Sequence, residues 1–302
     1  MIDPMRRRPS PAALAWAARA IAPGATVVGH RRLIGGITSS MHRLTIDTRG
    51  SRQHVVLRRW VGTEVGDATK KVEREAAVLD ALADTGLPAP QLVATSPDGA
   101  ETDGCPSLLM TRVPGRMDLT PADPAAWIGQ MAAALPRVHC LPLDLPLVTS
   151  WRPLLERGVP AWSRRPELWR EAMAVLRGEA PGGDSFIHSD FQHFNLLWRR
   201  DRLSGIVDWT WSGRGAQDRD VGHCRLNLAV LFSVDLAERF REAYEAEAGR
   251  RMEGWWDIHE LTMYSDGWQQ FIPIQVGGRT PVDLDGMHDR VEELLAQSLT
   301  RA

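Results

Sequence analysis

Residues 186–198, FIHSDFQHFNLLW, pack two histidines, an aspartate, a glutamine and an asparagine between apolar flanks. Buried strands do not carry such a cluster, so chemistry is the first explanation to consider. Asp190 and Asn195 are five positions apart, and thirteen residues beyond Asn195 the apolar run GIV ends on Asp208. Two oxygen ligands from separate segments, completed by phosphate oxygens, suit Mg²⁺, which keeps few protein ligands. Asp190, ahead of both, can accept the proton of an attacking hydroxyl. A second chemistry draws on the same stretch: His188, Asp190 and His193 could ligate Zn²⁺ or a di-metal centre in a hydrolase. That alternative calls for a further His/Asp cluster, and His223 and His259 stand in the sequence without one.

Three features upstream are compatible with phosphate chemistry. The turn GGITSS (Gly35, Gly36, Thr38, Ser39 and Ser40 among its residues) offers exposed N–H groups and hydroxyls to an anion. A glycine-rich hairpin turn reads the same way. In VVLRRW, alternation puts Val56 and Arg58 on one face of a strand and Leu57 and Arg59 on the other. Glu75 lies on the apolar face of the following helix with Val72 and Leu79, and a carboxylate facing a core needs a partner. Arg58 is the natural one.

These residues need elements to hold them. Residues 11–22 read as a short amphipathic helix with Leu14, Ala17, Ala18 and Ile21 on one face. HRRLIGGITSSMHRLTID and HVVLRRW read as a β-meander. KKVEREAAVLDALADTG reads as a helix capped by Gly86, and PQLVATSPDG and CPSLLMTRV as two more strands. PGR then breaks the pattern. Beyond residue 115 the chain reads as mainly helical, with Pro136 expected to end or kink one helix. RLSGIVDWTW reads as a hairpin strand. The expected fold class is α+β in two lobes: residues 1–112 sheet-rich with an antiparallel sheet, residues 113–302 larger and helical.

Composition narrows the function classes. The net charge of −2 gives no reason to expect nucleic acid or an anionic membrane as partner. No run of about 18 apolar residues predicts a membrane span. Three dispersed cysteines show no metal spacing or disulfide framework, which points to a reducing cytoplasm. The basic N-terminus fits a helix face better than a signal peptide. Of the 36 cationic residues, only Lys70 and Lys71 are lysines, so roles usually given to lysine fall to arginine. Residues 251–302 hold nine Asp/Glu against four Arg. That excess reads either as a solvated helical face or as an attraction for a cationic acceptor.

The order of these motifs resembles the aminoglycoside phosphotransferase and choline-kinase-like family, which has a protein-kinase-like fold. The resemblance covers nearly the whole chain. LIGGITSSMHRL resembles the family's nucleotide loop, and VVLRRW its third-strand motif, with Arg58 in the lysine's place and Glu75 as its ion-pair partner. LLMTRVPG resembles the adenine-holding hinge. That implies Met110 at the gate and Thr111 and Val113 at the backbone contacts. IHSDFQHFNLLW and GIVDW resemble the catalytic and metal motifs, implying Asp190 as catalytic base and Asn195 and Asp208 on Mg²⁺. GAQDRDVGHCRLNLA resembles the next helix, whose Asp220 braces the catalytic loop, as His188 is expected to do from within it. The implied activity is transfer of the γ-phosphate of ATP or GTP to a hydroxyl of an aminoglycoside-like antibiotic or another small metabolite. A catalytically inactive nucleotide-binding protein would have lost Asp190, Asn195 or Asp208, and all three are present. Two departures stand out: Ser189 replaces the usual glycine, and Gln192, His193 and Phe194 replace a common His-Pro-Gly. His193 reads either as facing the substrate or as a surface residue, and His139 as a satisfied core histidine.

Overall fold

The computed structural model describes residues 7–34, 38–148 and 152–302. The chain divides into two compact units, residues 1–114 with 205–210, and residues 115–204 with 211–302.

In the first unit, helix α1 (Pro11–Ile21) begins where Ser10 caps it, its Oγ accepting from Ala13 N at 3.1 Å, with Pro11 in the first turn. A five-stranded antiparallel sheet follows, ordered β1-β2-β3-β5-β4. Its strands are β1 (Thr26–Arg32), β2 (Ser40–Thr48), β3 (Ser51–Arg59), β4 (Leu92–Ser96) and β5 (Ser107–Thr111). Alternation along β2 and β3 sends Leu44, Ile46, Val55 and Leu57 to one face, where Ala13, Trp16 and Ala17 of α1 cover them. Each such aliphatic burial is worth about 1.5–3 kcal/mol. The buried face of α1 is therefore centred on Trp16, with Leu14 and Ile21 only partly buried at its margin.

Helix α2 (Val65–Leu82) starts five residues before the predicted KKVEREA segment, because Glu64 accepts from the N–H groups of Gly66 and Asp67. Val72, Glu75, Leu79 and Leu82 are buried, as their spacing predicts. Gly86 is not its cap. The helix stops at Leu82, whose carbonyl takes both the N–H and the hydroxyl of Thr85, and Gly86 supplies φ +73° in the turn beyond.

The second unit contains α3 (Pro124–His139), α4 (Pro153–Arg157), α5 (Pro166–Arg177), α6 (Asp218–Leu231), α7 (Val234–Ala248), α8 (Gly254–Leu261), α9 (Gly267–Val276) and α10 (Gly286–Leu299). Its short strands β6 (Ser185–Ile187) and β9 (Gly213–Gly215) pair with each other, and β7 (Leu196–Arg199) pairs with β8 (Arg202–Ile206), whose last two residues count with the first unit. Of RLSGIVDWTW, expected as a hairpin strand, Arg202–Ile206 forms β8, and the strand stops before Val207. Helix α6 is buried over nearly its whole surface, which makes it the axis of this unit. Pro136 does not end α3. The helix runs on to His139, and Pro136 O still accepts from Cys140 N at 3.0 Å. Only the bond from its own nitrogen is forgone. Helix α8 carries no amphipathic period, since every residue from Trp255 to Leu261 is buried.

The acidic C-terminal region is not a solvated face throughout. Asp257, Glu260 and Glu292 are buried, and Asp283 and Asp289 pair with Arg290 and Arg164. Among the described residues no helix is long and apolar enough to cross a membrane.

Candidate active site

In the first unit, β3 turns Arg58 toward α2, and the side chain is 2% exposed. Its Nη1 donates to Glu75 Oε1 and to Asp208 Oδ1, both at 2.8 Å, and Nη2 reaches Asp208 Oδ2 at 3.3 Å. Nε donates to Ser39 Oγ at 2.9 Å, and the guanidinium lies 4.9 Å from the Trp60 ring centre. One planar fork thus ties a strand, a helix and the 205–210 segment, which a lysine's single nitrogen cannot do at the same separations. Burial opposes the charge on Arg58, yet Asp208 and Glu75 outweigh it and hold the cation firmly. Burial pushes Glu75 up to about 7 against the pull of Arg58. Asp208 has φ +66°, a left-handed conformation that aspartate tolerates better than most residues, and Thr210 Oγ1 donates to its Oδ1 at 3.0 Å. Trp209 beside it is fully buried, with Nε1 on Ile206 O at 3.0 Å.

The remaining expected nucleotide contacts are distributed differently. Gly35 and Gly36 lie outside the described residues. Thr38 is exposed. Ser39 and Ser40 are buried, their hydroxyls accepting from Arg58 and from Arg59 respectively. Met110 is buried in β5. Thr111 ends that strand with its N–H on Gln91 O at 2.9 Å, and Val113 follows, half-buried.

In the second unit, the segment expected to be the catalytic loop leaves β6 and runs through a 3-10 turn, His193–Asn195, into β7. Asp220, at the start of α6, accepts from His188 N at 2.8 Å and from Ser189 N at 2.6 Å. His139 Nε2 is 3.1 Å from the same carboxylate, and His139 Nδ1 faces Tyr244 Oη at 3.4 Å, so His139 is a satisfied core histidine. Burial would raise Asp220, but His139 and the loop N–H groups hold it below the ordinary carboxylate range. His188 is buried, and its Nδ1 accepts from Asp190 N at 3.2 Å. This is the geometry of a brace.

Asp190 itself is a junction. Its Oδ1 accepts from Gln192 Nε2 at 2.6 Å and faces His223 Nε2 at 3.0 Å. Asn195 Nδ2 donates to Asp190 Oδ2 and to Asp190 O, both at 2.9 Å. Just before Asp190, Ser189 has φ +66°, and among the described residues its buried hydroxyl has no hydrogen-bond partner. Left-handed backbone costs a side-chain-bearing residue roughly 1–2 kcal/mol, part of which glycine's extra freedom in the unfolded chain offsets. Ser189→Gly is therefore expected to stabilise the protein by about 0.5–1 kcal/mol in urea unfolding. A destabilised variant would mean that the hydroxyl does something the backbone strain does not reveal.

His193 is neither at the surface nor open to a ligand. It is fully buried among Trp127, Phe194 and Phe232, and among the described residues neither ring nitrogen has a hydrogen-bond partner. Burial, then the charge of His223, lowers it to about 3, so the ring is neutral. The zinc reading fails on this point. His188 is spent on the loop and His193 on the core. Among the described residues no group of three His, Cys, Asp or Glu side chains could hold a metal.

Two residues join the site in roles that the sequence does not disclose. His223 of α6 links Asp190 to Glu260 of α8, with Nδ1 3.1 Å from Glu260 Oε2. The available signal was helical spacing: His223 lies three residues after Asp220 and so shares its face.

Residues 30–257 match the profile of the phosphotransferase enzyme family. Solved structures share the fold at low identity. An inferred aminoglycoside phosphotransferase from Ralstonia eutropha JMP134 aligns with a TM-score of 0.61 at 20% identity, over 96% of this chain and 97% of that one. Macrolide 2′-phosphotransferase MphH from Brachybacterium faecium aligns with a TM-score of 0.58 at 18% identity, over 96% and 98%. A thermostable mutant of aminoglycoside phosphotransferase APH(4)-Ia, solved with ADP and hygromycin B, aligns at 0.58 and 16% identity, over 90% and 95%. With three quarters of its length inside the family profile, the chain belongs to the phosphotransferase enzyme family, the aminoglycoside-phosphotransferase group of small-molecule kinases.

Proposed function

We propose that the protein transfers the γ-phosphate of ATP or GTP to a hydroxyl of a small molecule, with Asp190 as catalytic base. The observation that carries this reading is the buried Arg58, bonded at once to Glu75 and Asp208. The fork neutralises the buried Glu75 and so serves the fold, and a cation paired with a helix carboxylate one strand beyond the glycine turn is also the arrangement that orients α- and β-phosphates. Gly35, Gly36, Thr38, Ser39 and Ser40 would form the loop over the phosphates, and Met110, Thr111 and Val113 would receive the base. Residues 1–112 would then be the nucleotide lobe and residues 113–302 the lobe of the catalytic loop and acceptor.

The donor atoms fit Mg²⁺. Asn195 donates through Nδ2, which leaves Oδ1 as its ligand atom, and the Asp208 carboxylate is 29% exposed. A carboxylate and an amide oxygen are hard ligands of the kind this ion prefers. A metal held by these ligands would neutralise phosphate charge. Asp190 would orient the acceptor hydroxyl and take its proton, while His188 and Asp220 keep the loop in place. Catalysis would rest on positioning and charge stabilisation.

The acceptor class is open to an aminoglycoside-like antibiotic or another small metabolite. Internal pairing of the C-terminal carboxylates weakens the electrostatic case for a polycation. The three cysteines, Cys105, Cys140 and Cys224, are free, in keeping with action in the cytoplasm. The test is a phosphate-transfer screen of the purified protein with Mg²⁺ and either ATP or GTP against aminoglycosides, macrolides, choline-like alcohols and sugars. Phosphorylated product from one acceptor class is expected. No transfer to any class with either nucleotide would count against the reading.

A further inference from the structure

Helix α6 grips the catalytic loop twice. Asp220 holds the N–H groups of His188 and Ser189, and one turn later His223 reaches the Asp190 carboxylate. His223 is in turn held from behind. Glu260 faces its Nδ1 through Oε2, and Glu260 Oε1 accepts from Arg219 Nε at 3.1 Å and lies 2.9 Å from His259 Nδ1. Glu260 is 2% exposed, so the whole arrangement is anchored inside the unit.

The approach of α8 that brings Glu260 there depends on Gly222. A Cβ at that position would lie 3.0 Å from Trp256 O, 3.2 Å from Asp257 Cα and 3.2 Å from Glu260 Cβ. Two of these three atoms belong to helix backbone and cannot swing aside. A side chain at 222 would press α8 back by a few tenths of an ångström, so the glycine before His223 lets Glu260 sit close to it.

We propose that His223, clamped by Glu260, is a positioning residue for Asp190, and that it leaves Oδ2 as the oxygen that receives the acceptor hydroxyl. A carboxylate oxygen has two lone-pair sites. Oδ1 has both taken, by His223 and Gln192, whereas Oδ2 has one taken, by Asn195. The acceptor's O–H is thus directed to the side of the carboxylate nearer Asn195. Charge agrees with the geometry. Burial alone would lower His223, but its bonds to Asp190 and Glu260 raise it to about 10, so both ring nitrogens carry protons at neutral pH. The ionisable groups facing it are Asp190 from the loop, Glu260 from α8 and the neutral His193 from the 3-10 turn.

This inference rests on Asp190 being the base, and the experiment separates the two. In the full-length protein, His223→Ala is expected to lower kcat about 100-fold, the cost of a loosened reacting group, with the nucleotide KM unchanged. His223→Gln, which keeps one N–H donor, should recover part of that loss. Glu260→Gln should lower kcat in the wild-type background and add nothing on top of His223→Ala, since the two act as one device. Gly222→Ala should lower kcat in the same way. It provides the second test should His223→Ala fail to fold. Nitrogen-15 spectra of the wild-type protein at pH 8 should show His223 doubly protonated. A wild-type chain that phosphorylates no acceptor sinks the kinase reading itself. A singly protonated His223 at pH 8, turnover in His223→Ala within two-fold of wild type, or additive effects of the two substitutions sinks the clamp alone.

Discussion

Replacing Asp190 by alanine is expected to lower kcat for phosphate transfer by about 10²–10⁴-fold, the range a positioned general base supplies. Nucleotide affinity should stay near the wild-type value, because among the described residues Asp190 bonds Gln192, Asn195, His223 and its own loop. Folding should also survive. The carboxylate side chain is 22% exposed, and His223 keeps Glu260 when Asp190 is gone. Asp190→Asn tests the same role with shape preserved: the amide can bond the acceptor hydroxyl but cannot take its proton. Single-turnover transfer and nucleotide titration, measured on the same preparations, check both halves. Turnover within ten-fold of wild type in both variants would remove Asp190 from the mechanism.

How much of this site the sequence discloses follows from how far each interaction reaches. Glu75 is legible because a carboxylate on the apolar stripe of a helix has few explanations, and the structure buries it against Arg58. The split of Arg58 and Arg59 to opposite faces follows from strand alternation, and the two side chains do meet different partners. Glu260 is not legible. It lies 37 residues from His223, on a helix whose uninterrupted burial leaves no periodic signal. His193 misleads for a related reason: an imidazole in a stretch that also holds Asp190, Gln192 and Asn195 reads as functional, yet the turn His193–Asn195 places it in an aromatic core. Pairing of the C-terminal carboxylates is equally hidden, since Arg164, Arg219 and Arg225 come from elsewhere in the chain.

Arg58→Ala should be among the most damaging single substitutions, for both stability and nucleotide binding. Breaking a buried ion pair by removing one member typically costs about 3–5 kcal/mol, because the other charge is left without compensation. Here Glu75, 1% exposed, would be that stranded charge, and Asp208 would lose both contacts to the guanidinium. The cost should depend on pH in a definite direction. Glu75 already holds its proton more tightly in the folded state, at about 7 against an ordinary 4.5, because it is buried. A carboxyl raised in this way disfavours the folded state increasingly as pH rises above its unfolded value. Without Arg58 the upward shift grows, so the defect should be smaller at pH 5, where Glu75 is neutral, and larger at pH 8. Urea unfolding of wild type and Arg58→Ala at the two pH values measures this directly, and an equal defect at both would show that Glu75 is not the source. Arg58→Met combined with Glu75→Leu sharpens the point. Apolar replacement of a whole buried pair is often neutral or stabilising, so the double variant should regain much of the stability lost in Arg58→Ala. It should regain none of the nucleotide affinity, since the cation proposed to meet the phosphates is absent. Recovery of stability without recovery of binding would separate what Arg58 does for the fold from what it does for the reaction.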